Sequence, residues 1–375
     1  MLVCAACGTR HPTSIPRWRC DCGSYLQLEG TGLFQPESLA GRPATVWRYH
    51  EALGVDDPAS RVTLGEGSTP LVAVEFAGRD VLFKLDCLSP TGSFKDRGSA
   101  VMLSKLREWR VAEIVEDSSG NAGASVAAYA ARAGIAADVF VPASASAGKL
   151  AQIELYGARL SRIEGTREQT TAAALERAAR VFYASHNWSP YFAAGLKTAA
   201  YEIAEQLHWR APDWVVAPVG GGGLILGLYQ GFRELCDARI VDRMPRLVAV
   251  QAEACAPVYH AWTEKLDEVR AVAKRATAAE GISIAQPVKG RAILEAIRRS
   301  EGVARAVAES EIWDALGSLA RRGLYVEPTS AAAAAALPGL WDSGVIRTGE
   351  RVVVELTGTG LKATDKVREH FFTEG

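Results

Sequence analysis

The sequence predicts a layered α/β protein built on parallel sheets, and three observations lead there. From about residue 60 onward, short β-branched or apolar runs alternate with Ala-rich helical stretches, the order in which crossover helices join parallel strands. Gly- and Ser-rich turns stand where the runs end and helices begin, the loops that carry ligands in doubly wound folds. A length of 375 residues exceeds one ordinary core and suits two mid-sized domains with a small appendage.

The strands are read from β-branched and apolar runs bounded by turn residues. They are expected at 81–85 (VLFKL), 113–116 (EIVE), 137–141 (ADVFV), 159–163 (RLSRI), 214–218 (WVVAP), 246–251 (RLVAVQ) and 351–356 (RVVVEL). Between them, good helix formers predict helices at 94–108, 123–133, 149–156, 168–181, 196–207, 223–235, 310–322 and 330–337. The run Ala331–Ala336 follows Glu327-Pro328-Thr329-Ser330 and reads as a closely packed helix behind a cap, with no chemistry assigned. The stretch 277–286, which holds Gly281, reads as a surface connection. The expected domains are an N-terminal segment over 1–28, a larger α/β domain over 29–97 plus 200–375, and a smaller one over 98–199.

Lysine and arginine number 42 against 43 aspartates and glutamates. A charge so near zero gives no general attraction to phosphate backbones or anionic lipid, which argues against nucleic-acid and membrane partners. The start Met1-Leu2-Val3-Cys4 has neither the basic flank nor the apolar core of a signal peptide. No stretch is apolar for long enough to span a bilayer, so a cytoplasmic protein is expected.

Of the seven cysteines, Cys4, Cys7, Cys20 and Cys22 crowd near the start of the chain. In a reducing compartment such a cluster points to metal ligands before disulfides. Each pair is followed by a glycine, Gly8 or Gly23, that can turn backbone N–H groups toward thiolate sulfur, as in a zinc-ribbon knuckle. The second pair has a single intervening residue where ribbons usually have two or more. Structural Zn²⁺ is expected there, with four unligated thiols as the alternative.

Four turns carry the chemistry. The run Val215–Val219 leads into Gly220-Gly221-Gly222-Gly223 and a helix. Four residues without Cβ let consecutive N–H groups converge on one anion at a helix N-terminus. No Gly-Lys-Ser/Thr closes this loop and the third Rossmann glycine is missing, so a phosphate monoester is the expected guest. In Ser89-Pro90-Thr91-Gly92-Ser93-Phe94-Lys95-Asp96-Arg97-Gly98 a helix begins around Lys95. The positive helix end and Arg97 both favour its neutral, nucleophilic amine. Asp117-Ser118-Ser119-Gly120-Asn121-Ala122-Gly123 follows a strand and suits a carboxylate, with a plain helix cap as the alternative. The last turn, Thr357-Gly358-Thr359-Gly360, puts a neutral hydroxyl at a strand end.

In this order the turns resemble those of the fold-type II pyridoxal-5'-phosphate (PLP) enzymes, and the threonine synthase group in particular. The resemblance covers nearly the whole chain. Its most specific marks are Gly65-Glu66-Gly67-Ser68-Thr69-Pro70-Leu71, Ser93–Gly98, Ser119-Gly120-Asn121, the glycine loop and Thr357–Lys362. The cysteine-bearing start also looks like that of some threonine synthases. The resemblance implies two doubly wound α/β domains of the tryptophan synthase β-like type with a zinc-ribbon-like segment, and a homodimer. It also implies that Lys95 carries PLP as a Schiff base, Gly220 to Gly223 hold the cofactor phosphate, Asn121 bonds the ring hydroxyl, and Thr357 meets the pyridine nitrogen. A neutral hydroxyl there need not keep that nitrogen protonated, which favours elimination over deeper carbanion delocalisation. Lys95 would be both tether and base for loss of a β- or γ-substituent from an amino acid, with O-phosphohomoserine giving threonine and phosphate.

The pattern departs at two positions. Relatives that grip a substrate phosphate carry a Thr just after the ring-binding Asn, and an Arg upstream of a Gly-Gln-Lys-Thr run; here these are Ala122 and Phe192. A buried dianion without its bidentate partner is poorly compensated. Ser118, Ser119, Asn187, Ser189 and Lys149 remain as substrate donors. The alternative is a serine or threonine dehydratase, or a β-replacement enzyme, whose substrate lacks that phosphate. An inactive zinc-ribbon binding protein is the reading from another class. About fifteen residues follow the Thr357 turn, so no regulatory domain is expected there.

Overall fold

The structure, a computed structural model, describes residues 1–143, 145 and 147–372, apart from the side chains of 147–149. In chain order the strands are β1 (Leu2–Cys4), β2 (Arg10–His11), β3 (Leu26–Leu28), β4 (Leu71–Phe76), β5 (Arg79–Lys84), β6 (Glu113–Glu116), β7 (Ala136–Pro142), β8 (Arg159–Ile163), β9 (Phe182–Tyr183), β10 (Trp214–Pro218), β11 (Arg246–Ala252), β12 (Val303–Val307) and β13 (Val352–Glu355). The helices are α1 (Lys95–Glu108), α2 (Asn121–Ala133), α3 (Ala147–Leu155), α4 (Arg167–Arg177), α5 (Pro190–Leu196), α6 (Thr198–Gln206), α7 (Gly223–Asp237), α8 (Pro257–Thr263), α9 (Gly290–Arg299), α10 (Glu309–Ala320), α11 (Pro328–Asp342) and α12 (Thr364–Phe372).

The chain divides into two compact units. The first comprises Met1–Ser68, Ser89–Thr91 and Lys95–Thr198; the second comprises Thr69–Leu88, Gly92–Phe94 and the chain from Ala199 onward. The segment 29–68, expected with the larger domain, lies in the first unit, and so does Lys95. Buried anchors explain the difference. Trp47 Nε1 donates to the Val62 carbonyl at 2.9 Å, and the Val62 N–H donates to Ser104 Oγ at 2.7 Å, which ties this segment to α1.

In the first unit, β1 pairs antiparallel with β2 and β3, burying Leu2, Leu26 and Leu28. Its second sheet is parallel, of order β8-β7-β6-β9. The Ala-rich α2 buries Ala122, Ala124, Ala127 and Ala130 and stops at Gly134. There a φ of 71° lets the glycine N–H bond back to the Ala130 and Ala131 carbonyls.

The second unit is built on a sheet of order β12-β11-β10-β13-β5-β4. Among the described residues all its pairs are parallel except β4 with β5. Every residue of β10 and β13 is buried, which matches the apolar run of β10 and the three valines that open β13 before Glu355. The edge strand β4 has only Phe76 fully buried, and it was not among the expected strands despite its apolar run Leu71-Val72-Ala73-Val74. Among the described residues no helix is long and apolar enough to cross a membrane.

Candidate active site

The anticipated site residues are distributed over both units. In the first, α1 opens on Lys95. Its neighbour Asp96 is buried and accepts from the Thr91 N–H at 2.7 Å, the Thr91 hydroxyl at 2.6 Å and Ser125 Oγ at 2.6 Å. These bonds fix the first turn of α1 against α2. Arg97, fully buried, donates from Nη1 to Thr198 Oγ1 at 3.1 Å.

The Asp117–Gly120 loop joins β6 to α2, which begins at Asn121. It folds back so closely that a Cβ on Gly123 would lie 1.8 Å from the Ser118 carbonyl oxygen, and only glycine fits there. Ser118 and Ser119 are half-exposed, and no side chain caps the N-terminus of α2. Asn187 is half-buried, whereas Ser189 is buried and caps α5 by accepting the Phe192 N–H at 3.2 Å. The side chain of Lys149 lies outside the described residues. Phe192 is buried, with its ring against Gly98, where a Cβ would come within 2.6 Å of it.

Two residues that the sequence did not single out stand at the same end of β6. Glu116 is fully buried, and its Oε1 lies 2.7 Å from His186 Nδ1. Burial pushes its carboxyl up to about 8, against the opposing pull of Arg167, the His186 N–H and Lys95. No motif announces such a pair, because its members are brought together by the pairing of β6 with β9.

In the second unit, β10 runs into the glycine loop. Gly220 lies so near Ile282 that a Cβ would stand 2.9 Å from its Cα, and Gly222 adopts a φ of 82°, where a Cβ would fall 2.2 Å from Ile293 Cδ1. α7 follows with no side-chain cap, so its first N–H groups face an open nest. After β13, Thr357 is buried, with Oγ1 3.0 Å from Ser330 Oγ on the first turn of α11. Ser330 also accepts the Gly358 N–H at 2.7 Å. The Thr357 carbonyl accepts the Phe94 N–H at 2.9 Å, and beside it the buried Ser93 hydroxyl has no partner among the described residues. The Ser330 contact was not legible in its sequence context, where it reads only as part of a helix cap.

Residues 62–358 match the family described as "Pyridoxal-phosphate dependent enzyme". This chain belongs to that family. The PLP-dependent enzyme is similar along most of its length to curated threonine synthases. It is 36% identical to that of Methanocaldococcus jannaschii over 375 residues, covering 96% of this chain and 93% of the relative. It is also 36% identical to that of Mycobacterium bovis, covering 86% and 89%. Among solved structures, maize serine racemase superposes with a TM-score of 0.70 at 21% identity, covering 88% of this chain and all of that one, which shows the fold.

The residues fit PLP on their own geometry. A phosphate suits the glycine nest, whose Cβ-free positions are enforced by Ile282 and Ile293. The neutral Thr357–Ser330 hydroxyl pair and the orphaned Ser93 hydroxyl suit a polar ring edge.

The N-terminal cysteines do converge. The sulfurs of Cys4, Cys7, Cys20 and Cys22 all lie within 4.8 Å of one another, with Cys4 and Cys22 at 3.4 Å and Cys7 and Cys20 at 3.7 Å. A tetrahedron with Zn–S bonds of about 2.3 Å has edges of about 3.8 Å, so the cluster is close to the size of a zinc site. The Cys7 N–H, aimed at its sulfur, holds the Cys4 thiol down at about 6, whereas, against the Ser24 N–H, the neighbouring Cys4 and Cys7 thiols push Cys22 up to about 12, so Cys4 is the readiest thiolate of the cluster.

Proposed function

We propose that this chain is a PLP-dependent lyase of the threonine synthase type, converting O-phosphohomoserine to threonine and phosphate. The observation that carries this reading is the 36% identity to threonine synthases over 96% of the chain, together with the four turns in their expected order. In it Lys95 tethers the cofactor and takes the Cα proton, and Gly220, Gly221, Gly222 and Gly223 hold the cofactor phosphate. Asn121 bonds the ring hydroxyl and Thr357, backed by Ser330, meets the ring nitrogen. Ser118, Ser119 and Asn187 receive the substrate, while Ser189 shapes the loop through its cap. The bound cofactor supplies an electron sink for the charge left at Cα. Cys4, Cys7, Cys20 and Cys22 hold one structural Zn²⁺, and the enzyme works in the cytoplasm as a homodimer.

A second reading is favoured by Phe192, a buried ring where the resembled enzymes carry a phosphate-binding arginine, and by Ala122. It is a dehydratase or β-replacement enzyme acting on an amino acid without that phosphate. One screen separates the two: O-phosphohomoserine, serine and threonine are offered in turn, and phosphate, ammonia and 2-oxo acid are scored together. Phosphate and threonine from O-phosphohomoserine support the first reading; ammonia and 2-oxo acid from serine or threonine, with O-phosphohomoserine inert, support the second.

A further inference from the structure

Two carboxylates stand side by side where β6 ends, and their surroundings treat them differently. Asp117 has both oxygens engaged. Oδ2 accepts from Arg167 Nη2 at 3.0 Å and Thr171 Oγ1 at 2.7 Å, and Oδ1 accepts from the Tyr183 hydroxyl at 2.9 Å. Asp117 thus serves the architecture, pinning its loop to α4 and β9. Glu116 is buried at least as deeply, yet only Oε1 has a partner, and Oε2 meets no donor among the described residues. A fold seldom leaves a buried carboxyl oxygen in that state unless a ligand completes it.

The charged groups facing Glu116 come from four places: Lys95 on α1, Arg167 on α4, His186 after β9, and Asp117 beside it. Burial outweighs the cations and raises this carboxyl to about 8, which favours its protonated form at neutral pH. The His186 ring on its other side packs edge-on to Phe192, with centroids 5.9 Å apart, which keeps that flank apolar. A protonated carboxyl with one oxygen uncommitted, close enough to Lys95 to feel its charge, is equipped to give and retake a proton.

We propose that Glu116 is a second acid–base catalyst of this enzyme, serving Cβ and Cγ of the substrate, with His186 as its positioning residue. The proposal rests on the PLP-lyase reading, in which Lys95 serves Cα. Once the γ-substituent has left, the four-carbon side chain is unsaturated between Cβ and Cγ, and threonine formation adds water across it. Glu116 gives its proton to Cγ, where the double-bond electron pair forms the new C–H bond. A lone pair of water bonds Cβ, and the proton released from that water returns to the Glu116 carboxylate, so the enzyme ends as it began.

The test uses the full-length, PLP-loaded enzyme and 2-amino-3-butenoate, which already carries the double bond and has no leaving group, so the phosphate question does not enter. In D₂O the wild type should yield a product with deuterium on its methyl carbon. Glu116→Gln should slow this about a hundredfold, and Glu116→Asp should regain part of the loss. The wild-type rate should fall as pH rises through about 8, a limb that Glu116→Gln lacks and His186→Gln displaces. The cofactor-free protein gives a separate readout. The infrared difference between wild type and Glu116→Gln should show a carboxylic-acid carbonyl band at about pH 6 that fades as pH passes about 8. Glu116→Gln working at the wild-type rate, a missing acid band, or Cα exchange without Cγ deuteration in the wild type would each overturn the proposal. A wild type that neither takes up PLP nor exchanges the Cα proton of any amino acid sinks the PLP-lyase reading itself.

Discussion

Gly222 sits in the left-handed region with its missing Cβ aimed at Ile293. Gly222→Ala is expected to cost about 1–3 kcal/mol and to weaken cofactor retention, checked by thermal melting and PLP titration. Lys95→Ala should no longer be labelled by PLP and borohydride, and its turnover should drop by about a thousandfold or more. Glu66 offers a test by pH. Burial raises its carboxyl from 4.5 to about 7, against hydrogen bonds from the Tyr129 hydroxyl at 2.6 Å and the Leu64 N–H at 2.9 Å. Between those values the folded chain holds a proton that the unfolded chain releases, so this group's contribution is full below about 4.5 and is lost as pH rises through about 7. Glu66→Gln should flatten that decline in a plot of melting temperature against pH. At this scale the sequence located the turns themselves: Lys95 and Asn121 open helices, Gly222 precedes one, and Thr357 follows a strand. It was silent where two strands or a helix and a turn bring distant side chains together, as for Glu116 with His186 and Ser330 with Thr357.

Among the elements, the pairing of β5 with α6 hangs on a buried ion pair. Lys84 Nζ donates to Glu202 Oε2 at 2.8 Å, to the Thr69 carbonyl at 2.7 Å and to Gln206 Oε1 at 2.9 Å, with Lys84 wholly buried. Glu202→Ala strands that ammonium and should cost about 3–5 kcal/mol in urea unfolding, whereas the double replacement Lys84→Met with Glu202→Leu should recover most of it. The strands β6, β8 and β10 were readable to the residue: β10 is a dense apolar run, while β6 and β8, each with two apolar residues, are bounded by the turn at 117–120 and by Gly157 and Gly165. β12 was not, since alanine and arginine interleave its two valines, and β9 is only two residues long. The helix expected over 196–207 is α6, and the short α5 before it was not expected, because Pro190 and the Ser189 cap start a turn that the alanine count alone does not reveal.

At the scale of the whole molecule, the alternation of strand and helix correctly gave the layered α/β class, while the allocation of residues 29–68 could not be read, because it depends on tryptophan and backbone contacts far apart in the chain. The cysteine cluster lies in the first unit, where β1 and the turns around it present the four sulfurs. Metal analysis should find one zinc per chain, and Cys4→Ser or a strong chelator should remove it and lower the melting temperature. The helix α11 bears on the molecule's future as much as on its present shape. Ala331 to Ala336 lie between 0% and 4% exposed, so their methyl groups are enclosed in a close-packed interior. Mutational drift has no room there: enlarging any of the six by even a methyl or two overfills the interior, and a saturation scan should find this stretch among the least permissive of the chain.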